Sequence, residues 1–178
     1  MSREGFTIYV DGSCLGNQNV DENTPSGWGV VVVTGDSGLG KGSGEIFHEE
    51  NGRVITDSKH IEYIGAKVGS NNTAELTAFA MALRWILVNV ENEKVLIRSD
   101  STYAGNLADG SWKAKANKEL VAILRSLWDE VYSAFDLSWQ HVRAHRGHRW
   151  NERADHLASR AAADETPLPV EFWKPGQK

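Results

Sequence analysis

The chain has 178 residues, 40% of them hydrophobic, which suffices for one α/β domain whose core needs no metal or disulfide staple. Its 19 basic and 24 acidic residues leave a net charge of -5, the wrong sign for gripping a polyanion over the whole surface, so any nucleic-acid contact has to be local. The single cysteine, Cys14, excludes an internal disulfide and a thiolate zinc site, while the lack of a leader pattern at Met1 and of an apolar run near the roughly 18 residues of a membrane span predicts a soluble, cytoplasmic protein with no membrane association.

Residues 6–10 alternate in polarity and run into Asp11-Gly12-Ser13, which predicts a strand ending on a carboxylate. Residues 27–33 are almost continuously apolar and predict a central strand covered on both faces. A third strand is expected over 45–48, and 54–64 either extends the sheet or forms an insertion. Leu76, Phe79, Leu83, Ile86, Leu87 and Val90 fall at helical spacing, predicting an amphipathic helix over 73–90 with Asn72 or Thr73 as N-cap and Glu75 in its first turn. Residues 94–99 predict another strand, again ending on a carboxylate, Asp100. A short helix over 101–108 is stopped by Gly110, and Leu120, Val121, Leu124, Leu127, Trp128 and Val131 mark a further helix. Residues 137–143 predict the last strand, and 151–163 a closing helix with Ala154, Leu157, Ala158 and Ala161 on one side. The domain is expected to span 1–165. The tail, 166–178, carries Pro167, Pro169 and Pro175 and is expected to be irregular and partly mobile. With no repeat or linker, and strands preceding an intermingled half, the order predicts a mixed sheet with helices packed on it.

Two strand ends that each carry an aspartate are an odd coincidence in a purely structural protein, because neighbouring carboxylates repel. Glu75 and Asp155 could complete an all-oxygen cluster with Asp11 and Asp100, and oxygen donors without cysteine select Mg²⁺ or Mn²⁺ over zinc. Two such ions about 3.5–4 Å apart suit phosphodiester cleavage. Taken singly, each carboxylate reads more readily as a cap, turn or surface residue. His141, His145 and His148 offer a zinc alternative, but a strand that alternates sides does not make them converge. Basic residues gather between 112 and 153, including Lys113, Lys115, Lys118, Arg143, Arg146, Arg149 and Arg153, and taken alone such a run reads as a solvated surface.

Four segments together resemble the active-site motifs of type 1 ribonuclease H, in that family's order: Asp11-Gly-Ser-Cys-Leu-Gly-Asn17, Asn71-Asn-Thr-Ala-Glu-Leu-Thr-Ala78, Ser99-Asp-Ser-Thr-Tyr103, and His145-Arg-Gly-His-Arg-Trp-Asn-Glu-Arg-Ala-Asp155. The resemblance implies a ribonuclease H-like fold, a five-stranded mixed sheet with helices on both faces. It also implies an endoribonuclease that hydrolyses the RNA strand of RNA/DNA hybrids with two Mg²⁺ ions, Mn²⁺ being able to substitute, leaving 5′-phosphate and 3′-hydroxyl ends. The tetrad would be Asp11, Glu75, Asp100 and Asp155, with Asp11 bridging both ions. His145 corresponds to the family's mobile histidine, whose side-chain type suits proton movement or product departure near neutrality. By the same resemblance Ser13, Asn17, Asn71, Asn72 and Asn151 would contact the hybrid, whose 2′-hydroxyls lie in a wide minor groove. The glycines flanking Cys14 would let the backbone come close.

The chain departs from the bacterial pattern after Asp100, where a long lysine-rich protrusion is shortened to residues 106–117. Trp112, Lys113 and Lys115 remain there as candidates for the DNA strand, Trp112 by stacking on a sugar. The expected partner is the hybrid duplex alone, with no obligate protein partner and a monomeric state. Other metal-dependent enzymes on such a fold, a transposase, integrase or resolvase, lack the Asn-Asn-x-x-Glu helix start and the histidine loop. A silent binding module would have no use for four carboxylates.

Overall fold

A computed structural model describes residues 5–177. Five strands, β1 (Phe6–Cys14), β2 (Ser26–Thr34), β3 (Glu45–Arg53), β4 (Val95–Ser99) and β5 (Leu137–His141), form one sheet in the order β3-β2-β1-β4-β5. The first three pair antiparallel, whereas β4 and β5 join in parallel. Helices α1 (Asn71–Asn89), α2 (Thr102–Asp109) and α3 (Lys118–Ala134) cover one face, and α4 (Arg149–Ala162) covers the other. The strand alternation explains the two cores. Ile8, Val10, Val30 and Val32 point into the larger one with Leu76, Phe79, Leu83 and Leu124, while Tyr9, Val31 and Val33 meet Trp150, Ala154 and Leu157.

The expected mixed sheet with helices on both faces is therefore present, with boundary corrections. Helix α1 starts two residues early, because Ser70 and Thr73 close a reciprocal capping box: the Ser70 hydroxyl accepts from Thr73 N at 3.0 Å and the Thr73 hydroxyl accepts from Ser70 N at 2.9 Å. Glu75 accordingly falls in the second turn. Helix α4 also starts two residues early, at Arg149, with His148 as its N-cap. Strand β5 ends at His141, short of 143.

Strand β3 runs to Arg53, well past 48. Its polar second half reads as a loop, yet Glu49, Asn51 and Arg53 alternate toward α4 and bind it. Glu49 takes a bidentate contact from Arg153 at 2.7 and 2.9 Å; Asn51 Nδ2 donates to Leu157 O at 2.9 Å; Arg53 donates to the carbonyls of Ala161 and Ala162, both at 3.0 Å. The last pair satisfies carbonyls that a helix C-terminus leaves open.

Residues 54–69 form an irregular covering segment and add no strand. Ile64 and Ala66 are buried in the main core. The tail, expected to be irregular, carries one 3₁₀ turn (Val170–Phe172) and is tied down against α4. Trp173 is buried, Arg153 donates to Leu168 O at 2.8 Å and lies over the Trp173 ring, and His156 accepts from Leu168 N at 3.0 Å. That last bond fixes the tautomer: Nδ1 of His156 carries the proton and donates to Gln177 O at 3.2 Å.

Candidate active site

Parallel pairing of β1 with β4 ends at Val10 opposite Ser99, so the next residues, Asp11 and Asp100, stand side by side at the carboxyl rim of the sheet. Helix α1 then brings Glu75 in from one face. Gly12 makes this possible, since a Cβ there would lie 2.4 Å from Glu75 N and 2.5 Å from the Ala74 carbonyl carbon. The close approach expected of the glycines beside Cys14 is thus made at Gly12 to a helix. Gly16 has open space and a positive φ of 65°.

From the other face α4 brings Asp155. It reaches the sheet because β2 is bare where they cross: a Cβ on Gly27 would lie 2.4 Å from Ala158 O, and one on Gly29 2.5 Å from Ala154 O. Small residues at 154, 158 and 161 complete the contact, so backbone packs almost on backbone.

Ligand-capable oxygens of Asp11, Glu75 and Asp100 all lie within 4.8 Å of one another. Asp155 stands outside this triad, but its charge acts on each member. Burial pushes the Asp11 carboxyl well above the ordinary carboxylate range, and the charges of Glu75, Asp100 and Asp155 push it further. Glu75 is raised by burial and by Asp100, against hydrogen bonds from Asp11 and the Gly12 N–H. Asp100 is raised by burial and Asp155, against a hydrogen bond from Asn151. Burial and mutual repulsion thus disfavour the charged forms of all three carboxyls, a cost that a divalent cation between them would offset.

The residues fit such a cation. All donors are oxygens, Oε2 of Glu75 and Oδ1 of Asn151 are buried without a hydrogen-bond partner, and the raised carboxyls need positive charge.

His145 lies on the exposed connection between β5 and α4 with a positive φ of 54°, and its charge reaches Asp100. His141 is exposed and His148 is buried under α4; among the described residues the only convergent metal-ligating group is the carboxylate triad.

Asn17 Oδ1 accepts from Asn71 N at 3.0 Å, joining the first two motifs on the exposed surface. The Ser13 hydroxyl accepts from Ser159 at 3.3 Å. Asn72 lines an apolar cavity of about 680 Å³ with Tyr103, Trp112, Lys113, Lys115 and Asn117, where Trp112 remains 48% exposed. Asn151 is 2% exposed and turned to Asp100, a place that makes it a support of that carboxylate.

Sequence reasoning missed His148. Its Nδ1 accepts from Asn151 N at 3.4 Å, while Nε2 lies 3.2 Å from the Arg98 guanidinium and 3.4 Å from the Tyr9 hydroxyl. Tyr9 in turn accepts from Arg98 at 2.8 Å and donates to Asp36. Burial and Arg98 both lower the His148 pKa, which keeps the capping acceptor available. A polar residue three before Asn151 is a readable cap signal, masked when the helix is taken to start at Asn151 itself.

The family model described as RNase H matches residues 3–163. The chain is 31% identical to the ribonuclease H of Cupriavidus metallidurans over 88% of its own length and 94% of that protein's, and 31% identical to the ribonuclease H of Polynucleobacter asymbioticus over 93% and 95%. Among solved structures it resembles the RNase H1 of the halophilic archaeon Halobacterium salinarum at 25% identity and a TM-score of 0.62, covering 89% of this chain and 98% of that one. LC11-RNase H1, solved in complex with an RNA/DNA hybrid, shares the fold at 24% identity and a TM-score of 0.62, over 89% and 97%.

Proposed function

The chain belongs to the ribonuclease H family, and from that membership we propose that it is a metal-dependent endoribonuclease hydrolysing the RNA strand of RNA/DNA hybrids. The observation that carries the reading is the meeting of Asp11, Glu75 and Asp100 within 4.8 Å at a sheet rim, with Asp155 acting on all three. The attacking group is water. Two Mg²⁺ ions, or Mn²⁺ in their place, would lower the pKa of that water and neutralise charge developing on the phosphate and the leaving 3′ oxygen.

The chain's own residues hold and orient. Asp11, on the central strand β1, would hold the ions together with Glu75, Asp100 and Asp155, Asp155 serving the water side and Glu75 with Asp100 the leaving-group side. Asn151 fixes the Asp100 carboxylate. His145 assists proton movement or product departure from its exposed loop. Cleavage leaves 5′-phosphate and 3′-hydroxyl ends. Ser13, Asn17, Asn71 and Asn72 read the minor groove, and Trp112, Lys113 and Lys115 hold the DNA strand. The protein works as a monomer in the cytoplasm; no described helix is long and apolar enough to cross a membrane.

Labelled RNA/DNA hybrid, duplex DNA and duplex RNA, each incubated with Mg²⁺ and with Mn²⁺, provide the test. Cutting confined to the RNA of the hybrid is expected. Cutting of duplex DNA, or of no substrate, would overturn the assignment.

A further inference from the structure

The β2–β3 connection, residues 35–44, has glycine at positions 35, 38, 40, 42 and 44, each with positive φ. Such a composition reads as a loose loop, but this one is held. Asp36 accepts from the Tyr9 hydroxyl, Lys41 O accepts from Arg149 N at 2.8 Å, and Ser43 O accepts from Trp150 Nε1 at 2.8 Å. Gly42 lies so close to α4 that a Cβ would be 3.2 Å from both Arg149 Cβ and Trp150 Cδ1.

This attachment sets the Lys41 ammonium beside the 146–149 segment, 3.5 Å from where a Cβ on Gly147 would stand. The Arg149 guanidinium lies 4.6 Å from the Trp150 ring centroid, which limits where it can point. Lys41, Arg146 and Arg149 are all exposed, and none of them has a carboxylate ion-pair partner among the described residues. The nearest acids are engaged elsewhere: Glu152 accepts from Gly147 N at 3.1 Å, and Asp36 binds Tyr9 and the Gly38 N–H. Arg146 and Arg149 share with His145 the connection that leads into α4, the helix that carries Asp155, so these cations flank the element that delivers that carboxylate. They lie on the α4 face of the sheet, whereas Trp112, Lys113 and Lys115 follow α2 on the opposite face.

We propose that Lys41, Arg146 and Arg149 form a second backbone-binding ledge, which takes phosphates of the hybrid on the flank of the active site away from Trp112. In a chain of net charge -5, unpaired cations fixed by a built loop attachment mark a local site for a polyanion. The inference rests on the reading that the substrate is a hybrid duplex.

The test measures hybrid binding to the Asp11→Asn protein in Mg²⁺ between about 50 and 200 mM salt. Lys41→Gln with Arg146→Gln should weaken binding at low salt and flatten log K against log salt by about 1.4–1.8, at roughly 0.7–0.9 for each phosphate no longer neutralised. The charge-matched control, Lys59→Gln with Lys174→Gln, should leave the slope unchanged, and Lys41→Arg with Arg146→Lys should restore it. If the double variant fails to fold, Lys41→Gln alone decides, with an expected change of about 0.7–0.9. An unchanged slope, or an equal change in the control, overturns the ledge. Failure of the unsubstituted protein to cut a hybrid overturns the functional reading instead, so the two failures are told apart.

Discussion

Carboxyl oxygens of Asp11 and Glu75 lie within 4.8 Å of each other across the approach that Gly12 permits between β1 and α1, and the Glu75 charge adds to burial in holding the Asp11 carboxyl well above the ordinary carboxylate range. Folded-state pKa values of Asp11, Glu75 and Asp100 are all raised, so the folded protein binds more protons than the unfolded chain above the ordinary carboxylate pKa of about 4. Stability from this cluster is therefore full below that value and is lost as pH rises through the raised ones.

Asp11→Asn should abolish cleavage while preserving the fold. It should also raise the melting temperature of the metal-free protein, and the gain over the parent should grow from pH 5 to pH 8. A gain that is flat with pH would show that repulsion within the cluster is not its source.

His145→Ala should slow turnover by about 10²–10⁴-fold without eliminating it, the range for a group that moves protons. Its exposed position predicts no change in melting temperature. Loss of activity as complete as for Asp11→Asn would move His145 into the metal-binding set.

Gly29→Ala should cost about 1–3 kcal/mol, because the new methyl would lie 2.5 Å from Ala154 O and the helix has to lift. Lifting α4 displaces Asp155, so Mg²⁺ affinity should fall as well, which titration calorimetry would read. A variant of parental stability with parental Mg²⁺ affinity would show that α4 is not held by this close packing.

Trp173→Ala should cost about 3–5 kcal/mol, since the ring is buried over the Arg153 guanidinium. A urea midpoint unchanged from the parent would mean that the tail contributes nothing to the fold.

The sequence is legible where local chemistry and tertiary role agree. The apolar run 27–33, the helical spacing from Leu76 to Val90 and the aspartates closing two strands all lead to elements seen in the structure. Legibility fails where long-range partners supply the reason. Glu49, Asn51 and Arg53 look like loop residues until α4 provides carbonyls and a guanidinium 104 to 109 positions away. Gly27 and Gly29 are legible as part of a strand, but the reason they are glycine appears only when a helix backbone fills the space where their side chains would be. Asp155 is legible as a carboxylate, but its delivery to the rim depends on those glycines, which nothing local explains.

The buried Arg153 and His156, flanking Asp155, find partners at Leu168 and Gln177, beyond the end of α4. A ribosome therefore releases α4 before it releases the groups that satisfy that helix. A chain stopped short of Trp173 would keep the Glu49 and Leu168 partners of Arg153 but leave its guanidinium open to water where the ring now covers it. The helix that bears Asp155 is therefore completed by residues 168–177, which are made after the strands and helix that bear Asp11, Glu75 and Asp100.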